Sequence, residues 1–405
     1  MKAGQVASDY TFNKETFDIL FGEASPLDSF SFVGNLQNEE QVSNFLAGYG
    51  VDTNDPIEMV ELFGHFQEAL GFIRKFFLKP QSSTGLDFDI PKEITTLVDI
   101  KNLYLLGREE VGEDESLEVK IWASIILKIM HVILHINKDL RQNYFTHIQT
   151  QIFDRYYKYL ERKDGRLFLE GPFGSVEIQE FQTKSKKSRD SVVMKLLHKK
   201  QAVAEELFDR IGVRVITKTK FDCLRVFKFL CENHVVMPQN LKPSRTHNSL
   251  VDLKKFFEKY DDPNSSASNS IAEFNEKLSK ITDESPALDQ TRTKNEHTLQ
   301  NYRSIHLTCR QLIKYVNPLA SQLEKLRLEA FSDNSRLGNL VQKMDSSSLM
   351  RELKFFYPYE IQVTDLESHV MNSEGESSHK IYKASQRKAA MNRIFKYLIE
   401  FKKAR

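Results

Sequence analysis

Through the first 165 residues, apolar side chains recur three and four positions apart. This is the period of helices that bury one face. It predicts long helices over "DPIEMVELFGHFQEALGFIRKFFL", "DESLEVKIWASIILKIMHVILHINKDL" and "YFTHIQTQIFDRYYKYLERK". Asp55-Pro56, with acids close behind, suits the start of the first of these. At Asp164-Gly165 the period shortens to two. "GRLFLEGPFGSVEIQEF" alternates around Gly171-Pro172-Phe173-Gly174, which predicts a β-hairpin.

Beyond the hairpin, helix and strand patterns mix. A helix is expected from about Arg189 to Phe208, a strand at "IGVRVITKT" and a helix at "KFDCLRVFKFLCEN". Two further strands are expected at "YRSIHLTCRQL" and "YPYEIQVTDL". Polar stretches near 260–298, with room for one helix, and near 331–350 look like insertions. A basic amphipathic helix closes the chain. The expected fold class is α+β: an all-helical N-terminal unit at 1–165, then a mixed sheet of four or five strands flanked by helices at 166–390, then the basic helix at 391–405. There is no internal repeat.

Composition narrows the functional classes. A chain of 405 residues predicts two or three folding units. A net charge of +1 excludes a molecule that is a nucleic-acid binder by its overall field, so any such contact has to come from a local patch. Cys223, Cys231 and Cys309 form no CxxC pair, which suits a reducing, cytoplasmic setting. The N-terminal stretch lacks the apolar core of a signal peptide. The most apolar run, from Ile121, is interrupted by Lys128, His131 and His135 and reads as a buried helix, with no membrane implied. His131 and His135 have the i, i+4 spacing of a metal pair but lack the glutamate of the metalloprotease pattern.

Four stretches carry candidate chemistry. Glu360-Ile361-Gln362 occurs inside "YPYEIQVTDL", and the same tripeptide stands at Glu177-Ile178-Gln179. In a strand, Glu360 and Gln362 share one face while Ile361 and Val363 take the other. A carboxylate beside an amide can hold a metal ion and a hydroxyl or base edge; it can equally be a solvated strand face. "TKSKKSRDSVVMKLLHKK" sets Lys187 before a helix that Ser188 caps, with Ser191 and Lys195 further along. A helix N-terminus with lysines suits phosphate, and a charge run also makes an ordinary surface. Asp209 and Arg214 flank the start of the "IGVRVITKT" strand, Asp209 as a turn residue or a Mg²⁺ ligand and Arg214 as a phosphate contact or an internal ion-pair partner. Tyr302, Ser304 and His306 share a strand face where an aromatic can stack on a base or on a neighbouring strand. The C-terminal helix is rich in Lys and Arg, either a surface helix or an RNA-backbone contact.

Taken in order, these stretches resemble the synthetase domain of the RelA/SpoT alarmone family. In that family's register stand Glu360, Gln362, His369, Gly375, His379, Tyr382 and Lys383. Asp209, Gly212 and Arg214 match its Asp-x-x-Gly-x-Arg strand. Lys187, Ser188, Ser191 and Lys195 match its ATP segment, and Tyr302, Ser304 and His306 its acceptor strand. The resemblance implies a nucleotidyltransferase-like fold and Mg²⁺-dependent transfer of pyrophosphate from ATP to the 3′ hydroxyl of GDP or GTP. It implies Asp209 and Glu360 as catalytic and metal carboxylates, and Lys187, Ser191, Lys195 and Arg214 around ATP. Tyr302, His306, Gln362 and His369 would surround the acceptor nucleotide. Ser185, Thr298, Asn301 and Thr364-Asp365 depart from the family pattern, mostly on the acceptor side. An RNA or tRNA 3′ end as acceptor, or an inactive nucleotide-sensing module, are the alternatives. RNA through the C-terminal helix and self-association are the partners compatible with this reading.

Overall fold

The structure is a computed structural model. It describes residues 14–22, 24–82, 84–109, 116–138, 144–184, 188–199, 211–260, 271–286, 302–330, 336–343, 351–374 and 379–404. In chain order the helices are α1 (Lys14–Leu20), α2 (Glu39–Gly48), α3 (Pro56–Phe77), α4 (Lys92–Thr95), α5 (Ile100–Leu106), α6 (Leu117–Asn137), α7 (Phe145–Tyr157), α8 (Arg189–His198) and α9 (Lys220–Glu232). They continue as α10 (Leu253–Tyr260), α11 (Ile271–Asp283), α12 (Pro318–Ala330), α13 (Arg336–Lys343), α14 (Leu366–Glu374), α15 (His379–Ile394) and α16 (Lys396–Lys403). The strands are β1 (Leu160–Lys163), β2 (Arg166–Gly171), β3 (Gly174–Ile178), β4 (Glu180–Lys184), β5 (Gly212–Thr217), β6 (His247–Asn248), β7 (Ile305–Val316) and β8 (Glu352–Asp365).

The chain divides into two compact units, each discontinuous in sequence. One comprises Met1–Leu140, Ser188–Leu207 and His379–Arg405; the other comprises Arg141–Lys187 and Phe208–Ser378. The expected boundaries at 165 and 390 are therefore displaced. Helical periodicity shows that a segment buries a face but does not show against what. Thus α7 packs with the strands, while α8 and the C-terminal segment pack with the N-terminal helices.

In the helical unit, α3 starts as its sequence suggests. Asp55 accepts a hydrogen bond from the Ile57 amide at 2.8 Å, and Pro56 occupies the first turn. Helix α6 is apolar on nearly all sides and lies in the core of this unit. By length and composition it could cross a membrane, and 83% of its most apolar window is buried inside the protein. Its one polar stripe is Lys120, Ser124 and Lys128, spaced four apart. They donate to the carbonyls of Glu109, Phe30 and Ser29 respectively, so these three buried side chains have partners. Burial lowers the Lys128 ammonium from the ordinary 10.5 to about 8, against the pull of Asp28.

Lys128 makes a testable statement about stability. Between pH 8 and 10.5 the unfolded chain keeps a proton on Lys128 that the folded chain has released. The contribution of Lys128 to stability therefore rises with pH across that window, while Cys223, Cys231 and Cys309, whose thiols burial pushes up, and the buried tyrosines act in the opposite direction. Lys128→Met is expected to make the slope of stability against pH between 8 and 10 less positive than in the wild type, read from urea midpoints. An unchanged slope in the variant would refute the assignment.

The C-terminal segment forms two helices, α15 and α16, rather than the single helix expected from 391. Phe395, at their junction, is fully buried, with ring centroids 5.3 Å from Phe77 and 5.7 Å from Trp122. Arg393, with only 9% of its side chain exposed, pairs with Asp28 at 2.5 Å. Arg393 also donates to the carbonyls of Leu197 and Lys199 at 3.1 and 2.8 Å, closing the end of α8. Arg387 bonds to Ser82 and Thr84, and Lys402 pairs with Glu118 at 2.7 Å. Several cations of this tail are thus engaged within the unit, and the tail is a core element rather than a free basic face. Helix α8 stops at His198, short of the expected Phe208; residues 200–210 lie outside the described ones.

The second unit is α+β. It contains an antiparallel sheet β1-β2-β3 and a five-stranded mixed sheet of order β4-β5-β8-β7-β6. The expected third helix shortens to α7, and its final "LERK" becomes β1. In the larger sheet only β5 and β8 run parallel. Alternation along β8 sends Tyr357, Tyr359, Ile361 and Val363 into a core shared with α7 and α9. In that core the Tyr156 and Tyr359 hydroxyls meet at 3.2 Å. The opposite face of β8 carries Glu360, Gln362 and Thr364.

Candidate active site

Strand register assembles the site. Residues directly opposite on neighbouring strands share a face. Gln182 on β4 lies opposite Arg214 on β5, Arg214 opposite Gln362 on β8, Gln362 opposite His306 on β7, and His306 opposite His247 on β6. A second row on the same face runs Lys184, Gly212, Glu360 and Thr308. Two polar rows thus cross the sheet on the side away from its apolar core.

Glu360 and His306 face each other diagonally, with His306 Nε2 3.3 Å from Glu360 Oε2; the Glu360 side chain is 22% exposed and that of His306 34%. Both are reachable from solvent yet partly shielded. Gly212 separates Lys184 from Glu360. A Cβ there would come within 3.4 Å of Lys184 Cδ, so the missing side chain leaves the lysine stem its path across β5. Lys184 and Arg214 put two cations on the face that carries the Glu360 carboxylate, an arrangement suited to polyphosphate.

Gln362 is 7% exposed and held from both sides. Its carbonyl accepts from Arg214 Nε at 2.9 Å, and its amide donates to the hydroxyls of Tyr302 and, at 3.4 Å, Ser304. The segment bearing Tyr302 is fixed in turn. Ser249 Oγ donates to the Tyr302 carbonyl at 2.9 Å and accepts from the Ser304 amide at 3.0 Å. The Asn372 side chain on α14 grips the backbone of Arg303 twice, accepting from its N–H at 3.0 Å and donating to its C=O at 2.8 Å. Thr364 is buried and donates to the same carbonyl at 3.1 Å.

The structure therefore brings Arg214, Tyr302, Ser304, His306, Glu360 and Gln362 onto one face of one sheet. His369 lies off the strand rows, half-buried in the first turn of α14. Ser191 and Lys195 belong to the helical unit, on α8, where Ser188 caps the helix as expected and its hydroxyl lies 2.8 Å from that of Ser191. Asp209, Lys187 and Gly375 fall outside the described residues. Among the described residues, no group of three or more His, Cys, Asp and Glu could hold a metal ion. Sequence reasoning missed Gln182, Thr308, Ser249 and Asn372. Alternation in "EFQTK" already sets Gln182 and Lys184 on one face, but only the β4–β5 register sets Gln182 opposite Arg214. The second Glu-Ile-Gln is plain strand. Glu177 pairs with Arg166 at 3.7 Å, Ile178 is buried, and the Gln179 amide bonds to the Ile216 carbonyl at 2.8 Å.

No family model and no curated protein matches the chain. Among solved structures it is similar to small alarmone synthetases of Bacillus subtilis. Synthetase 1 is 13% identical, with 65% of this chain and 92% of that one covered and a TM-score of 0.25. The same enzyme bound to its product pppGpp is 13% identical, with coverage of 56% and 79% and a TM-score of 0.23. Synthetase 2 is 14% identical, with coverage of 68% and 97% and a TM-score of 0.23.

Proposed function

We propose that the protein transfers pyrophosphate from ATP to the 3′ hydroxyl of an acceptor nucleotide, a guanosine nucleotide by its resemblance to the RelA/SpoT family. The observation that carries the reading is the gathering of Glu360, Gln362, Arg214, Tyr302 and His306 on one polar sheet face, from three motifs separated along the chain by 60 to 148 residues at their hydrogen-bonded pairs. The acceptor 3′ oxygen attacks the β-phosphorus of ATP, the bond from that phosphorus to the α,β-bridging oxygen breaks, and AMP leaves. The hydroxyl proton passes to Glu360 or to water. Lys184 and Arg214 lie where they can neutralise the triphosphate, and Tyr302 with Gln362 orients the acceptor. In such a reaction positioning and charge neutralisation do most of the work.

A magnesium ion carried in with the triphosphate needs only one or two protein carboxylates. The partly exposed Glu360 side chain fits that role. The ion would supply charge neutralisation of the phosphates; Asp209 is the second carboxylate implied by the family resemblance.

The test is incubation with ATP labelled on its γ-phosphate and GDP, GTP, ADP or a short RNA as acceptor, with Mg²⁺ present. Label is expected on the guanosine nucleotides. Label on the RNA alone would move the acceptor to an RNA 3′ end. No labelled acceptor, with nucleotide binding intact, would leave a sensing module instead.

A further inference from the structure

A chain of side-chain hydrogen bonds joins the candidate site to strand β4, and its direction is forced by chemistry. A carboxylate only accepts and a guanidinium only donates. Gln182 stands between one of each. Its amide donates to Glu180 Oε1 at 2.9 Å, and its carbonyl accepts from Arg214 Nη1 at 3.4 Å. Arg214 Nε takes the Gln362 carbonyl at 2.9 Å, so the Gln362 amide has to face the other way, toward Tyr302. The Tyr302 oxygen accepts there, which leaves its own proton to donate elsewhere. The far end of the relay is therefore a hydroxyl donor.

We infer that Gln182 is a positioning residue. By holding the second arm of Arg214 it keeps Gln362 in one orientation and Tyr302 as a donor. With the guanosine acceptor of the proposed function, the Tyr302 hydroxyl would donate to the 6-oxo group, where a 6-amino base presents a donor instead. This inference rests on reading the sheet face as a nucleotide site.

The experiment is calorimetric binding of GDP and ADP, which needs no turnover. The wild-type protein is expected to prefer GDP. Gln182→Leu removes the acceptor for Arg214 and is expected to reduce that preference about fivefold, the scale of one net hydrogen bond. Gln182→Glu restores an acceptor for Arg214 and is expected to stay within about twofold of wild type. Melting curves establish that both variants fold. An unchanged preference in Gln182→Leu, or equal losses in both variants, overturns the positioning role while the nucleotide site stands. Binding of neither nucleotide by the wild-type protein overturns the nucleotide site and the inference with it.

Discussion

Glu360→Gln is expected to lower pyrophosphate transfer by roughly 10³-fold, the usual cost of removing a carboxylate from a phosphoryl-transfer centre. The substitution keeps the shape of the side chain and removes the negative charge facing His306, 3.3 Å away. Because the Glu360 side chain is partly exposed, the change in folding stability should stay under about 1 kcal/mol. The Gln362–Arg214 bond does not involve Glu360, so acceptor KM should change little while kcat falls. The measurement is single-turnover transfer with a melting curve for each protein. A variant that retains activity within tenfold of wild type would place the chemistry elsewhere.

The second large effect lies in the helical unit. Phe395→Ala is expected to destabilise it by about 3–5 kcal/mol, the range for emptying a buried aromatic site. Phe395 is fully buried against Phe77 and Trp122, so its loss opens a cavity beside the only tryptophan of the chain. Urea unfolding followed by Trp122 fluorescence reads the effect directly. A loss below about 1 kcal/mol would mean that the C-terminal helices are not part of that core. Removal of residues 391–405, which the sequence presents as a basic surface helix or an RNA-backbone contact, is expected to be at least as damaging.

These two cases mark what could be read from the sequence. The long helices and the β8 strand were legible because their periodicity is strong. The shared face of Glu360 and Gln362 was legible because strand alternation is strict. The partners of amphipathic segments were not. The stripe of Ile148, Ile152 and Tyr156 on α7 shows a buried face without showing that it covers a sheet. The charges of the C-terminal segment hid Ile394, Phe395 and Leu398, which are its buried side.

The site divides the same way. Arg214, Tyr302, His306 and Gln362 were found through spaced motifs, and their convergence depended on β7 and β5 flanking β8. Gln182 and Asn372 had no signal of their own, because their meaning lies in register and in one side chain gripping a distant peptide. Thr364 changed in significance. Where the resemblance expects an arginine it is a buried tether to the Arg303 carbonyl, and Arg214 and Lys184 put positive charge on this face.

The most direct measurement is ³¹P spectroscopy of wild-type protein with ATP, Mg²⁺ and GDP. Pyrophosphate transfer is expected to yield AMP and a nucleotide 3′-diphosphate in equal amounts, and Glu360→Gln is expected to yield neither. Release of ADP with a singly phosphorylated acceptor, release of free pyrophosphate, or no turnover at all would contradict the assignment of this sheet face as a pyrophosphate-transfer site.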